Sequence, residues 1–218
     1  MPTDTQTDAP SLSALLRSRT TTDHRAAEGS GFPTALVQGE VALEGYADML
    51  AQHRYAYEVL EAVRATHLTD PDVGPFLDER LLRSAALEAD LVDLVGTGWR
   101  DVHPPSPATS AYCERLAATS ASPVAHLAHH YTRYLGDLSG GQYIGRVAAR
   151  TYGLGEGHGG RFATFEGIED AAAYRDAYRA RLDALAWAPE QQDALIEAVH
   201  EAYACNEAVF DDLARHLG

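Results

Sequence analysis

The sequence predicts an all-α, single-domain protein, and three observations predict it. Apolar residues recur at helical spacing along almost the whole chain. Glycine and proline gather between those stretches, where helices start and stop. No segment alternates convincingly enough to be a strand, and no internal repeat divides the chain. The 218 residues can build one sizeable core without a second domain. Residues 1–10 are polar and proline-containing and read as a disordered lead-in, so the domain is expected over 11–218.

The elements follow in order. Leu12 to Glu28 reads as a first helix, broken by Gly29-Ser30-Gly31 and Pro33. Val41 to about Ala65 reads as a long second helix with Tyr46, Met49, Leu50, Tyr57 and Leu60 on one stripe. Glu79 to Val95 is a third, ended by Gly96 and Gly98. Pro104, Pro105 and Pro107 punctuate the next connection, before a shorter helix from Thr109 to Ala118. Ser122-Pro123 supplies an N-cap and a proline at the first helical position, opening a helix that runs to about Tyr152. Leu154 to Gly167 is glycine-rich and is expected to be a mobile loop. Glu169 to Leu185 and Pro189 to Leu213 complete the set.

Composition narrows the function. The 17 basic residues, all arginine, face 32 acidic ones for a net charge of −15, which argues against nucleic acid and anionic membranes as partners. No apolar run of about 18 residues marks a membrane span, and the N-terminus lacks the basic flank and apolar core of a signal peptide. Two cysteines, Cys113 and Cys205, make a disulfide framework improbable and fit a reduced cytoplasm. The charge is uneven. Tyr131 to Arg181 carries seven arginines against six acids, a locally positive region suited to an acidic ligand or an acidic donor protein.

Within the Ser122–Tyr152 helix, the stretch YTRYLGDLSGGQ (131–142) places Gly136, Gly140 and Gly141 where side chains are expected. Together they forgo about 2–3 kcal/mol of helix propensity. On a regular helix Gly136 and Gly140 share one bare face, with Asp137 about 100° around it. Two readings remain open at this point: a close helix–helix crossing, or a platform for something flat and bulky. On the first helix, His24 and Glu28 stand four apart and face the same way. That is the arrangement of a metal-ligating imidazole and its hydrogen-bond acceptor, and also of an ordinary solvated pair. His126, His129 and His130 lack the glutamate of HExxH and read as helix-surface or core-edge residues. No CxxCH motif for covalent cofactor attachment is present.

The segment AHHYTRYLGDLSGGQ, Ala128 to Gln142, together with DHRAAE, Asp23 to Glu28, resembles the haem oxygenases, with similarity running from Leu12 to Leu213. The resemblance implies an all-α fold that sandwiches haem b between a proximal N-terminal helix and a glycine-kinked distal helix. It implies His24 as the axial haem-iron ligand, with Glu28 beside it. It assigns Asp137, with Tyr57, Arg133 and Asn206, to a distal network that orders water for proton delivery, while Gly136 and Gly140 leave room for haem and O2. Tyr131, Arg175, Arg179 and, on the first helix, Arg17 fall where the family holds the haem propionates. Tyr203 and Phe210 fall on its pocket wall. The family pattern implies α-meso attack, and Arg175 stands where relatives often carry lysine, which keeps the charge but changes its geometry.

The expected function is therefore that of a soluble bacterial haem oxygenase, a monomer that cleaves haem to biliverdin, CO and ferrous iron. Its electrons come from an external reductase or ferredoxin, since no flavin or iron–sulfur motif is evident. A non-catalytic haem-binding or sensing protein on the same scaffold is the alternative. A helical di-iron protein is a second rival, but it needs two Glu-x-x-His motifs and the chain offers one, Glu197 to His200.

Overall fold

The computed structural model describes residues 10–29, 31–155 and 157–217, with backbone alone for 24–28. Apart from Pro10, the expected lead-in lies outside the described residues. The described residues hold ten α-helices, several short 3-10 turns and one π-helical turn, with no strand among them.

The N-terminal helix α1 spans Leu12–Gly29. A second helix, α2, Gly31–Gln38, follows where the sequence suggested only a break. Pro33 is compatible with it because a first-turn amide has no helical acceptor to lose. Burial of Phe32, Ala35 and Leu36 repays its short length. The long α3, Leu43–His67, buries the predicted stripe, with Tyr46, Met49, Leu50, Tyr57 and Leu60 all at most 2% exposed.

The expected Glu79–Val95 helix is shorter. Asp78 accepts from the Arg80 amide and caps a 3-10 turn at Glu79–Leu81, so the α-helix α4 begins only at Ser84 and ends at Leu94. Arg83, between the two, is buried and donates to the carbonyls of Leu81, Phe162 and Thr164, with its guanidinium stacked 3.8 Å over the Phe165 ring. A short α5, Trp99–Val102, precedes α6, Pro107–Ala118, capped by the Ser106 side chain.

Ser122 caps α7, Pro123–Gly136, as its sequence predicts, accepting from the Ala125 amide. Asp137–Gly141 is then a π-helical turn, and α8, Gln142–Tyr152, continues the line to a left-handed Gly153. The Ser139 hydroxyl reaches back to the carbonyls of Leu135 and Gly136 at 2.9 and 3.0 Å, competing with the regular ladder where three glycines already weaken it.

Within the glycine-rich 154–167 segment, residues 161–165 are anchored, where a mobile loop was expected. Asp90 accepts from the backbone amides of Arg161 and Phe162, while Phe162, Phe165 and Ile168 enter the core. Helices α9, Ala171–Asp183, and α10, Pro189–Leu213, finish the chain. The long α10 packs along both α7 and α1, and α9 packs against α1 and the π turn. This brings α1, α7, the π turn, α9 and α10 around one cleft.

Candidate functional site

A cavity of about 340 Å³ opens between α1 and the α7–π wall. Arg17 reaches it from α1, Tyr131 and Gly136 from α7, Arg175 and Arg179 from α9, and Tyr203 from α10. Residues from four separate helices, all singled out in the sequence, thus meet at one opening. Phe210 does not line this cavity. It stands edge-on to His53 with ring centroids 6.1 Å apart.

The glycines separate into two kinds. A Cβ at Gly136 or Gly140 would meet nothing within 4 Å, so neither supports a close helix crossing. The packing role falls to Gly145 on α8, where a Cβ would lie 2.3 Å from the Ala163 side chain. The surface left bare at 136 and 140 is therefore open to a ligand.

The cavity rim is cationic. Tyr131 is partly buried, which raises its phenol pKa, and the charges of Arg179 and Arg17 partly offset that rise. These three groups therefore act on one another across α1, α7 and α9. Arg175 donates to the Leu138 carbonyl at 2.7 Å and supports the π turn from outside. Arg179 pairs with Asp176 at 2.9 Å.

Beside the glycines lies a second group of side chains. The Tyr57 hydroxyl donates to Asp137 Oδ2. The Arg133 guanidinium sits 4.7 Å over the Tyr57 ring, and its Nη1 donates to Asn206 Oδ1 at 2.8 Å. Asn206 in turn donates to the Ala202 carbonyl. Arg133 is 7% exposed, and its Nε and Nη2 make no hydrogen bond. Desolvation works against its charge, but Tyr57 and Asp137 outweigh that penalty. Burial raises the Asp137 carboxyl pKa, opposed by the Arg133 charge and the Tyr57 hydrogen bond. Asp137, Tyr57, Arg133 and Asn206 thus form one connected group, drawn from α3, α7, the π turn and α10.

Of the expected iron-binding pair, His24 and Glu28 lie on the α1 backbone, but their side chains fall outside the described residues. Nearby Asp23 accepts from or pairs with His200 Nδ1 at 2.7 Å, so the only Glu-x-x-His histidine is engaged with an aspartate. Among the described residues no cluster of three metal-ligating side chains exists.

The three histidines of α7 are core residues and not surface ones, at 0%, 1% and 2% exposed. His126 stacks near His67, His129 meets Tyr112, and His130 Nδ1 lies 3.0 Å from the Tyr178 hydroxyl. These partners are distant in sequence, so helical spacing alone could not reveal them. His53 was likewise missed. It occupies the centre of the α3 apolar stripe, between Leu50 and Tyr57, which was the available signal.

Comparisons with known proteins identify the family. The family model described as heme oxygenase matches residues 10–212. Heme oxygenase 1 of Nostoc sp. is 35% identical over 207 residues, covering 94% of this chain and 87% of that protein. Human heme oxygenase 1 is 34% identical, covering 94% of this chain and 73% of its own length. Among solved structures, heme oxygenase from Leptospira interrogans superposes with a TM-score of 0.88 at 33% identity, covering 93% of this chain and all of that one. Heme oxygenase-1 from Synechocystis, in complex with heme, gives 0.89 at 30% identity, covering 95% and 94%. With this sequence match and this helical frame, the chain belongs to the haem oxygenase family.

Proposed function

We propose that the chain degrades haem oxidatively, with O2 and electrons from an external reductase or ferredoxin, to biliverdin, CO and ferrous iron. The observation that carries the reading is the bare Gly136–Gly140 surface standing next to Asp137, Tyr57 and Arg133. A plain haem store has no need of a carboxylate in that place.

The residues present fit haem b. The open glycines leave space for the flat macrocycle against the distal helix, with α1 opposite. Arg17, Tyr131, Arg175 and Arg179 offer the cationic and phenolic groups that propionates require. His24 would supply the axial ligand, with Glu28 setting the orientation of its imidazole. When bound, the haem iron supplies O2 activation and the macrocycle is itself the substrate. Asp137 Oδ2 is held by the Tyr57 hydroxyl, which leaves Oδ1 to accept from ordered water. Arg133 keeps a positive charge beside that carboxylate, while Asn206 fixes the guanidinium plane. Water, and not a strong acid, then faces the reacting side of the pocket.

Arg175 and Arg179 would set the in-plane rotation of haem and thus the carbon attacked, for which α-meso is proposed. We place the protein in the cytoplasm as a monomer. Among the described residues no helix is long and apolar enough to cross a membrane.

The test is direct. Haemin added to the protein with a reductase system should lose its Soret band while biliverdin and CO appear. Chromatography of the bilin identifies the isomer. A persistent haem spectrum without bilin would overturn the catalytic reading in favour of a haem-binding role.

A further inference from the structure

Six buried side-chain nitrogen and oxygen atoms among the described residues have no hydrogen-bond partner, and four belong to His53 and Arg133. His53 is 7% exposed, and both its ring nitrogens are orphaned. Its ring is boxed by Phe162, with centroids 5.8 Å apart, and by Phe210 at 6.1 Å. Tyr57, one helical turn along α3, also contacts Phe162 at 6.5 Å, and Arg133 lies over Tyr57 at 4.7 Å. The two orphaned groups therefore flank the same tyrosine that holds Asp137.

An imidazole carries one donor and one acceptor when neutral, and the free edge of Arg133 carries donors only. Neither can satisfy itself on phenylalanine rings. Buried polar groups without protein partners are the places where ordered water is found, making two to four hydrogen bonds each. We propose that His53 is a positioning residue of the distal pocket, holding ordered water against the open Nε and Nη2 of Arg133 and so extending the Asp137–Tyr57–Arg133 network towards Phe162 and Phe210. Burial and the Arg133 charge both keep this imidazole neutral, so it can donate to one water and accept from another without storing a proton. The proposal rests on the haem-cleaving reading of the distal group. A plain space-filling role would have been served better by leucine, which leaves no polar atom unpaired.

The test has two arms. A high-resolution crystal structure of the haem-free wild-type protein should show water within hydrogen-bonding distance of a His53 ring nitrogen and of Arg133. The absence of water from both groups overturns the proposal. In the second arm, His53→Leu and His53→Gln are compared with wild type for haem affinity and for bilin formed per electron consumed. Leucine should lower that coupling about threefold or more at unchanged haem affinity, and glutamine, which keeps a donor and an acceptor, should restore it. Unchanged coupling in His53→Leu overturns the proposal, as does a loss that glutamine fails to restore, since the ring would then act only by its volume. Failure of wild type itself to form bilin would instead sink the underlying reading.

Discussion

Asp137 is held by one hydroxyl, lies in the field of two buried arginines, Arg133 and Arg83, and is partly withdrawn from bulk water. Those three influences oppose one another. Burial raises its pKa first and most, and Arg133, Tyr57 and Arg83 restrain the rise. The carboxyl therefore sits closer to the point where it can exchange protons with water than an exposed aspartate does. Asp137→Ala should cut bilin formation by about 100-fold, the lower end of what positioned proton transfer contributes, because the water it orders is lost, while haem still binds. Single-turnover assays with a haem titration check both halves; normal bilin yield would remove Asp137 from the proton route. Tyr57→Phe should cost about 2 kcal/mol of stability at neutral pH, because a hydrogen bond to a carboxylate is lost. At this scale much was legible, since Asp137, Tyr57, Arg133 and Asn206 all carried the family pattern. His53 was not, because an unpaired histidine inside an apolar stripe shows its meaning only once Phe162 and Phe210 arrive from distant elements.

The line from α7 through the π turn to α8 is where helix propensity was set against function. Gly136 and Gly140 stand in open space, so an added methyl would strain nothing in the haem-free fold. Gly145 is different, since its Cβ would collide with Ala163, a neighbour too short to swing aside. Gly140→Ala is thus expected to leave the haem-free protein as stable or up to about 1 kcal/mol more so, while weakening haem binding. Gly145→Ala should destabilise by about 1–3 kcal/mol through overpacking, with haem affinity per folded molecule little changed. Urea melts of haem-free protein, paired with haem titrations, separate the two; equal effects in both would contradict the division. Helix positions were readable from periodicity and caps, as Ser122 and the Pro189–Leu213 span show. What periodicity could not show was tertiary: α2 survives its flanking glycines because Phe32 and Leu36 are buried, and Arg161 and Phe162 of the glycine-rich segment are held by Asp90.

At the scale of the whole molecule, α7 is the axis, and its histidines are the joints. His126 meets His67 of α3, His129 meets Tyr112 of α6, and His130 meets Tyr178 of α9. Desolvation is the main cause that pushes His126 down to about 3 and His129 to about 4, with His130 also far below its ordinary value. The native state therefore keeps these rings neutral, whereas the unfolded chain protonates them near pH 6.5. Their contribution to stability is complete above that value and is lost as pH falls, because the unfolded state binds protons that the native state refuses. Each such ring adds a slope of about 1.4 kcal/mol per pH unit below pH 6. Asp90 and Asp137, whose pKa values are raised mainly by burial, act in the opposite sense, so the wild-type slope alone does not isolate the histidines. Comparing it with His126→Leu does, since that substitution removes one titrating ring and leaves the carboxylates in place. Urea melts between pH 6 and 4.5 should show the variant losing stability more slowly than wild type, by about 1.4 kcal/mol per pH unit. Parallel slopes would mean that His126 takes up its proton equally in both states and is not desolvated in the fold.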